Sequence, residues 1–251
     1  MPSGSEPVAP EPVTADPPDL PGRVLLTQSW LELTFVHWAV DPDLVAPMLP
    51  AGVRPDVCQG STYVGLVAFR MHRIGWLSFP GLPYLGTFPE TNVRLYSVDS
   101  AGRRGVVFRS LETSRLAPVA TARTFFRLPY RWARMSIERS GDVISYTSRR
   151  REPGEFGRVR SALRVQIGSP IAEPTELDHF LTARWRLHFS LLGRTVHMPN
   201  AHPQWPLHQA KLLACSEQLT AAAGFPGPLG EPISVLYSPG VPVRFGRPHR
   251  A

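Results

Sequence analysis

The sequence predicts an α+β domain of mainly antiparallel strands, arranged as a decorated β-barrel with a few short helices. Three observations carry this expectation. Several segments alternate apolar and polar residues with a period of two, a pattern that half-buried antiparallel strands require. Ser140-Gly141-Asp142 separates two such segments as a tight hairpin would. The helical signals are short, and two of them carry their own caps. With 251 residues, 43% apolar and 19% charged, the chain has the composition of a globular protein with a sizeable core, and barrels of this length are often single units.

Taken in order, residues 1–22 contain Pro2, Pro7, Pro10, Pro12, Pro17, Pro18 and Pro21 among small and acidic residues, and read as a disordered tail. A single folded domain is expected from residue 23 to 251, with ordered structure from near Val24. Asp41-Pro42-Asp43 supplies an N-cap, a proline at the first helical position and an acidic first turn ahead of Leu44, Val45, Met48 and Leu49, with Pro50 and Gly52 as the stop. Tyr63–Phe69 and Val106–Leu111 read as buried strands. A second helix is expected over 113–124, leading into a Leu-Pro turn.

Met135 and Ile137 alternate with Ser136 and Glu138 before the hairpin turn, and Val143–Ser148 follows it. Next, Val159, Leu163, Val165 and Ile167 face one way, and Arg160, Arg164 and Gln166 the other. Arg149-Arg-Arg151 falls on the connection between the two segments and reads as a solvated loop. Thr175-Glu-Leu-Asp178 opens a short helix through about Arg184. Pro232, Pro239, Pro242 and Pro248 then make the C-terminus turn-rich, leaving Val235–Tyr237 and Val243–Phe245 as short strands or edge segments.

The formal charge of +7 would suit a nucleic-acid binder, yet arginines are scattered and Lys211 is the only lysine. No helix-turn-helix, zinc-finger or RNA-recognition pattern is present. No apolar run approaches the roughly 20 residues that cross a bilayer, and no signal-peptide layout appears, which predicts a cytoplasmic protein. Cys58 and Cys215 read as small core residues. Phosphate-loop, dinucleotide-fold, zincin and nucleophile-elbow motifs are absent. His197, His202 and His208 share a proline-rich stretch and read as surface or packing residues; no metal and no cofactor are called for.

Glu90 and Arg94, four apart in Phe88-Pro-Glu-Thr-Asn-Val-Arg94, project from one face if extended, either over a pocket or as a structural salt bridge. Arg123 precedes the apolar pair Phe125-Phe126 and is a cation tied to buried structure. Tyr130 follows Pro129 at a turn, as a phenol directed into a cleft or as a packed core tyrosine.

These stretches, with His37-Trp38-Ala-Val-Asp-Pro-Asp-Leu, Tyr63-Val-Gly-Leu-Val-Ala-Phe-Arg70 and Trp205-Pro-Leu207, together resemble the YqjF-like family of uncharacterised bacterial proteins, a branch of the acetoacetate decarboxylase-like superfamily. The resemblance spans roughly residues 28–245. It implies a β-barrel or cone around a small, largely apolar cavity. In the decarboxylases a Gly-x-Pro-Lys motif supplies a lysine that forms an iminium with a β-keto acid. Here Arg-Leu-Pro-Tyr130 occupies that place, and a phenol cannot form an imine. Arg131 does not compensate, because a guanidinium stays protonated. Lys211 lies in a different motif and reads as an exposed or snorkelling lysine.

The resemblance implies Glu90 as a cavity acid. On an enzyme reading Glu90 acts as general base, Tyr130 donates or accepts a proton and Arg123 or Arg94 orients the substrate, which gives Glu90, Tyr130 and Arg123 as the catalytic set, with Arg94, His37, Trp38 and Arg134 binding substrate. The expected function is an enzyme that moves protons on a small carbonyl or carboxylate compound by enolisation, dehydration, isomerisation or cyclisation, without a Schiff-base lysine. A non-catalytic binding protein for a small hydrophobic carboxylate or ketone is the alternative. A third reading is an interaction module whose proline-rich tail recruits partners. The partner expected is the small molecule, with no nucleic acid and no membrane, and with room for a homo-oligomer.

Overall fold

The computed structural model describes residues 8–76, 86–115, 127–152, 154 and 157–251. Among these, the strands are β1 (Leu26–Val40), β2 (Arg54–Pro55), β3 (Thr62–Trp76), β4 (Phe88–Val98), β5 (Arg104–Thr113), β6 (Tyr130–Ser140), β7 (Val143–Arg150), β8 (Arg160–Pro170), β9 (Arg186–Leu191), β10 (Arg194–Ala201), β11 (His208–Glu217), β12 (Ser234–Phe245) and β13 (His249–Arg250). Short helices α1 (Pro42–Val45), α2 (Glu176–Thr182) and α3 (Leu219–Ala222) decorate them. No helix among the described residues is long and apolar enough to cross a membrane.

Pairing of β4 with β5 closes nine strands, β5-β6-β7-β8-β11-β12-β1-β3-β4, into a mixed barrel. The pair β9-β10 branches from β5 and reaches β12. With β12, β1, β3, β4 and β5 it encloses a second space. The shared wall therefore has two interiors. Because side chains alternate across a strand, Val64, Leu66, Val93 and Leu95 join Ile144, Tyr146, Leu163 and Val165 in the nine-strand core. Val67, Phe69, Met71 and Phe88 instead pack with Leu187, Met198, Trp205 and Phe245.

Two bulges keep the second interior lined. At Glu32 (φ 51°) β1 gains a residue against β3, and at Arg73 (φ 51°) β3 gains one against β1. Each insertion switches the parity of the strand. Leu26, Gln28 and Trp30 thus face the same space as Leu33 and Phe35, and Val67, Phe69 and Met71 the same space as Ile74 and Trp76. The sequence carries no glycine at either bulge to announce it.

The locally specified elements form as expected. The Asp41 side chain accepts from the Asp43 N–H at 2.9 Å, and Thr175 and Asp178 form a reciprocal capping box. Ser140 pairs with Val143 across the hairpin turn, where Gly141 takes φ 61°. Leu163 and Val165 are buried, while Arg160, Arg164 and Gln166 are exposed.

Four expectations need correction. The stretch read as a disordered tail is fixed in its described part, 8–22: Glu11 receives the Arg104 N–H at 2.9 Å and pairs with Arg186, and Thr14 receives the Trp185 indole N–H. Composition counts apolar burial, whereas this segment is held largely by polar contacts. Arg149 and Arg150 belong to β7 and not to a loop; Arg150 is buried and pairs with Glu112 at 2.8 Å. Cys215 is exposed and Cys58 only partly buried.

The C-terminal segment is not two edge pieces but one twelve-residue strand, β12, beside β1. Its prolines fit because Pro239 and Pro242 fall between Tyr237, the last residue paired with β11, and Arg244, the first paired with β10. A missing N–H there breaks no second ladder. Thr113 ends β5, and most of the helix expected over 113–124 lies outside the described residues.

Candidate functional site

The second interior holds a cavity of about 680 Å³. Its walls are apolar, from Trp30, Phe35, Phe69, Met71, Trp205 and Phe245 among others, with a polar column along β4. Phe88, Glu90, Asn92 and Arg94 all face it, every second residue of one strand.

Glu90 is buried, 3% exposed. Burial pushes its carboxyl up to about 8, and polar contacts from Tyr130 and Asn92 only partly oppose the shift. The Tyr130 hydroxyl donates to Glu90 Oε2 at 3.3 Å. Tyr130 stands at the first position of β6, where β6 runs parallel to β5 opposite Leu111. Pro129 receives the Leu111 N–H at 3.1 Å, so the Leu-Pro turn is tied to the wall and aims the phenol inward. Burial and the neighbouring carboxyl raise the phenol well above its ordinary range; it stays a proton donor at neutral pH.

Arg94 is anchored deeper. Its Nε and Nη2 donate to the Tyr96 hydroxyl at 3.2 and 3.0 Å, and Nη2 also donates to the Leu181 carbonyl at 2.7 Å. Its guanidinium lies over the Phe35 ring, 5.2 Å from the centroid. Gly65, opposite Arg94 on β3, makes room, since a Cβ there would sit 3.1 Å from Arg94 Cγ. Among the described residues no carboxylate pairs with Arg94. The structural salt bridge to Glu90 does not form, and among the described residues no guanidinium acts on the Glu90 carboxyl.

Arg184 also lines the cavity; its Nε donates to the Phe180 carbonyl at 2.7 Å and its Nη1 pairs with Asp56, which Arg104 grips from the other side. His202 completes this end. The Pro203 carbonyl can only accept, so His202 Nδ1, 2.7 Å away, carries the proton and Nε2 is left as an acceptor. Burial lowers His202 to about 4, keeping it neutral.

The other residues named from sequence fall elsewhere. His37 does not line the cavity: it is sealed behind Arg94, its Nε2 2.7 Å from the Tyr96 hydroxyl, and burial holds it well below the usual histidine range. Trp38 belongs to the nine-strand core, one residue out of phase, with its indole N–H on Gly230 O. Arg134 is exposed on β6. Arg123 lies outside the described residues. Lys211, the chain's only lysine, is exposed on β11, so no amine side chain is available to the cavity.

Sequence reading missed Asn92, Arg184 and His202. Asn92 was within reach of simple alternation between Glu90 and Arg94. The other two stand on connections after α2 and β10, where no local pattern signals a cavity.

Ser97, His188 and Asp99 lie together, with Ser97 Oγ 2.9 Å from His188 Nδ1 and Asp99 Oδ2 3.6 Å from Nε2. All three are 2% exposed or less, a sealed polar network with no route for an acyl substrate. No cluster of metal-ligating side chains occurs among the described residues.

The family model for DUF2071, described as "uncharacterized conserved protein", matches residues 27–242. The chain belongs to this family. YqjF of Bacillus subtilis (strain 168) is 31% identical over 212 residues, covering 84% of this chain and 87% of YqjF. Among solved structures, the enduracididine biosynthesis enzyme MppR complexed with pyruvate superposes with TM-score 0.62 at 14% identity over 91% of each chain. Acetoacetate decarboxylase from Legionella pneumophila subsp. pneumophila str. Philadelphia 1 gives 0.58 at 12% identity, over 96% of this chain and 92% of that one. The DUF2071 chain therefore has an acetoacetate decarboxylase-like fold.

Proposed function

We propose that the protein is an enzyme that moves protons on a carbonyl compound bearing a carboxylate, without a Schiff base. The observation that carries this is the buried Glu90 carboxyl, pushed up to about 8 and touching the Tyr130 hydroxyl at 3.3 Å. A carboxylate with that affinity is a far stronger base than an ordinary glutamate, and it titrates close to working pH. In its deprotonated form Glu90 takes a proton from the carbon beside a ketone. The C–H electron pair becomes the enolate double bond, and the carbonyl pair moves onto oxygen, which Tyr130 stabilises by donating a hydrogen bond. Return of the proton to the same or a neighbouring carbon completes exchange or isomerisation.

The anionic part of the substrate has a counterpart in Arg94, a buried cation with no carboxylate of its own among the described residues. A buried charge without a partner is costly, and a bound carboxylate relieves that cost. MppR, of the same fold, is known with pyruvate bound, which supports an oxo acid as ligand class. The enzyme reading is tested by proton NMR in D2O, following loss of signal at carbons beside the ketone in a panel of oxo acids. The expected result is exchange that depends on Glu90, disappears in Glu90→Gln, and leaves no adduct on Lys211 after borohydride treatment. A borohydride-trapped adduct, or exchange undiminished in Glu90→Gln, refutes it.

A further inference from the structure

Resting on the reading of Glu90 as the base, the geometry points to a substrate class: we infer that the ligand is an extended oxo acid whose carboxylate and reacting carbonyl lie about eight bonds apart.

The spacing follows from β4. Glu90 and Arg94 are four residues apart on one extended strand, which sets their Cα atoms roughly 13 Å apart. Both side chains stand into the same cavity, so their heads stay separated along the strand direction. Arg94 does not lean back toward Glu90. Its Nε and Nη2 are bound to Tyr96 and Leu181, and Tyr96 lies two residues further along β4. With about 13 Å between the Cα atoms and about 3 Å taken up by the ligand's contacts at its ends, roughly 10 Å is left for the ligand to span, and no described guanidinium is among the groups acting on Glu90. An extended chain covers roughly 1.2 Å per bond, which gives about eight bonds.

The cation end is built to hold an anion. Arg94 is 8% exposed, its orientation is fixed by Tyr96 and Leu181, and its Nη1 donates to no described residue. Arg184, on the connection after α2, also lines the cavity, and its Nη2 is buried without a partner among the described residues. Between the two ends stand Asn92 on β4 and, level with it on β3 and β1, the apolar side chains of Val67 and Phe35. Cavities of roughly 300–1,000 Å³ enclose ligands of drug size, and about 680 Å³ accommodates a chain of this length. The carboxylate at Arg94 is thus remote from the reacting carbon and is retained in the product.

Two acids of equal carbon count separate spacing from hydrophobic burial: 4-oxodecanoate and 9-oxodecanoate, with the primary amide of the latter as a neutral control. Deuterium exchange beside the ketone is followed by NMR, and binding by calorimetry. The expected result is a kcat/KM for exchange at least about tenfold higher with 9-oxodecanoate. A further loss of about 10–100-fold is expected for the amide on the unaltered protein, the scale of a lost hydrogen bond to a charged group. Arg94→Met should weaken binding of the acid far more than binding of the amide, bringing the two close together.

Glu90-dependent exchange that is as fast with 4-oxodecanoate overturns the extended class and leaves the base reading standing. Binding of 9-oxodecanoate that depends on Arg94, without exchange, upholds the ligand class and refutes the proposed reaction. Binding of neither acid, or equal binding of acid and amide, overturns the inference.

Discussion

Replacing Glu90 by glutamine should make the protein more stable at alkaline pH while abolishing proton transfer. In the folded state the carboxyl holds its proton up to about 8, whereas an unfolded glutamate releases it near 4.3. A carboxyl whose folded value is raised contributes fully below the unfolded value, and that contribution is lost as pH rises through the folded value. Each unit of pKa difference corresponds to about 1.4 kcal/mol. Integrated between pH 5 and pH 9, linkage gives a loss of about 4 kcal/mol in the unaltered protein. Glutamine fills the same space, keeps an acceptor for Tyr130 and has no charge to desolvate, so it escapes this loss. Denaturant unfolding of both proteins at pH 5, 7 and 9 measures the difference directly. The gap between them should widen in favour of Glu90→Gln as pH rises, most of it between pH 5 and 8. Parallel pH–stability curves would refute the account of Glu90 as a desolvated carboxyl and remove the support for a base active near neutrality.

Tyr130→Phe should lower turnover by about 10²-fold, the scale of a lost acid–base partner. Because the Tyr130 hydrogen bond holds the Glu90 carboxyl down, the midpoint of the pH–rate profile should also move above 8, and an unmoved midpoint counts against the contact. Gly65→Ala places a Cβ 3.1 Å from both Arg94 Cγ and His37 Cδ2; crowding of this kind costs about 1–3 kcal/mol, and calorimetry should show weaker binding of carboxylates than of matched neutral ketones. Asp56→Asn strips the carboxylate from Arg184 and Arg104 and should destabilise by about 3–5 kcal/mol in denaturant titration; a loss below 1 kcal/mol would show that Asp56 is not the structural partner of the buried Arg184.

What the sequence made legible was local. Asp41, Thr175 with Asp178, the Ser140-Gly141-Asp142 turn and the alternation through Leu163 and Val165 each specify an element from neighbours within a few residues, and each formed. The pairing of Glu90 and Arg94 on one face followed from strand periodicity. What stayed hidden depends on partners distant in sequence. Arg150 reads as part of a basic run until Glu112, 38 residues earlier, comes beside it. Arg184 and His202 join the cavity only through the branch that leads to β10. Glu32 and Arg73 adopt left-handed conformations that no glycine advertises. His37 faces the second interior but lies covered behind Arg94, whereas Trp38 falls in the nine-strand core because one step along a strand exchanges one interior for the other.

That exchange bears on how this chain can vary. β4 serves the closed core with Val93 and Leu95 and the cavity with Glu90, Asn92 and Arg94, so its two sets of positions answer to different requirements. Substitutions on the cavity side can reshape ligand preference while the other set keeps the barrel folded, which leaves room for chemistry to diverge on a constant frame. Length is far less negotiable than identity. A single residue inserted between Glu90 and Arg94 would turn one of those charged groups into the sealed core and break both interiors at once.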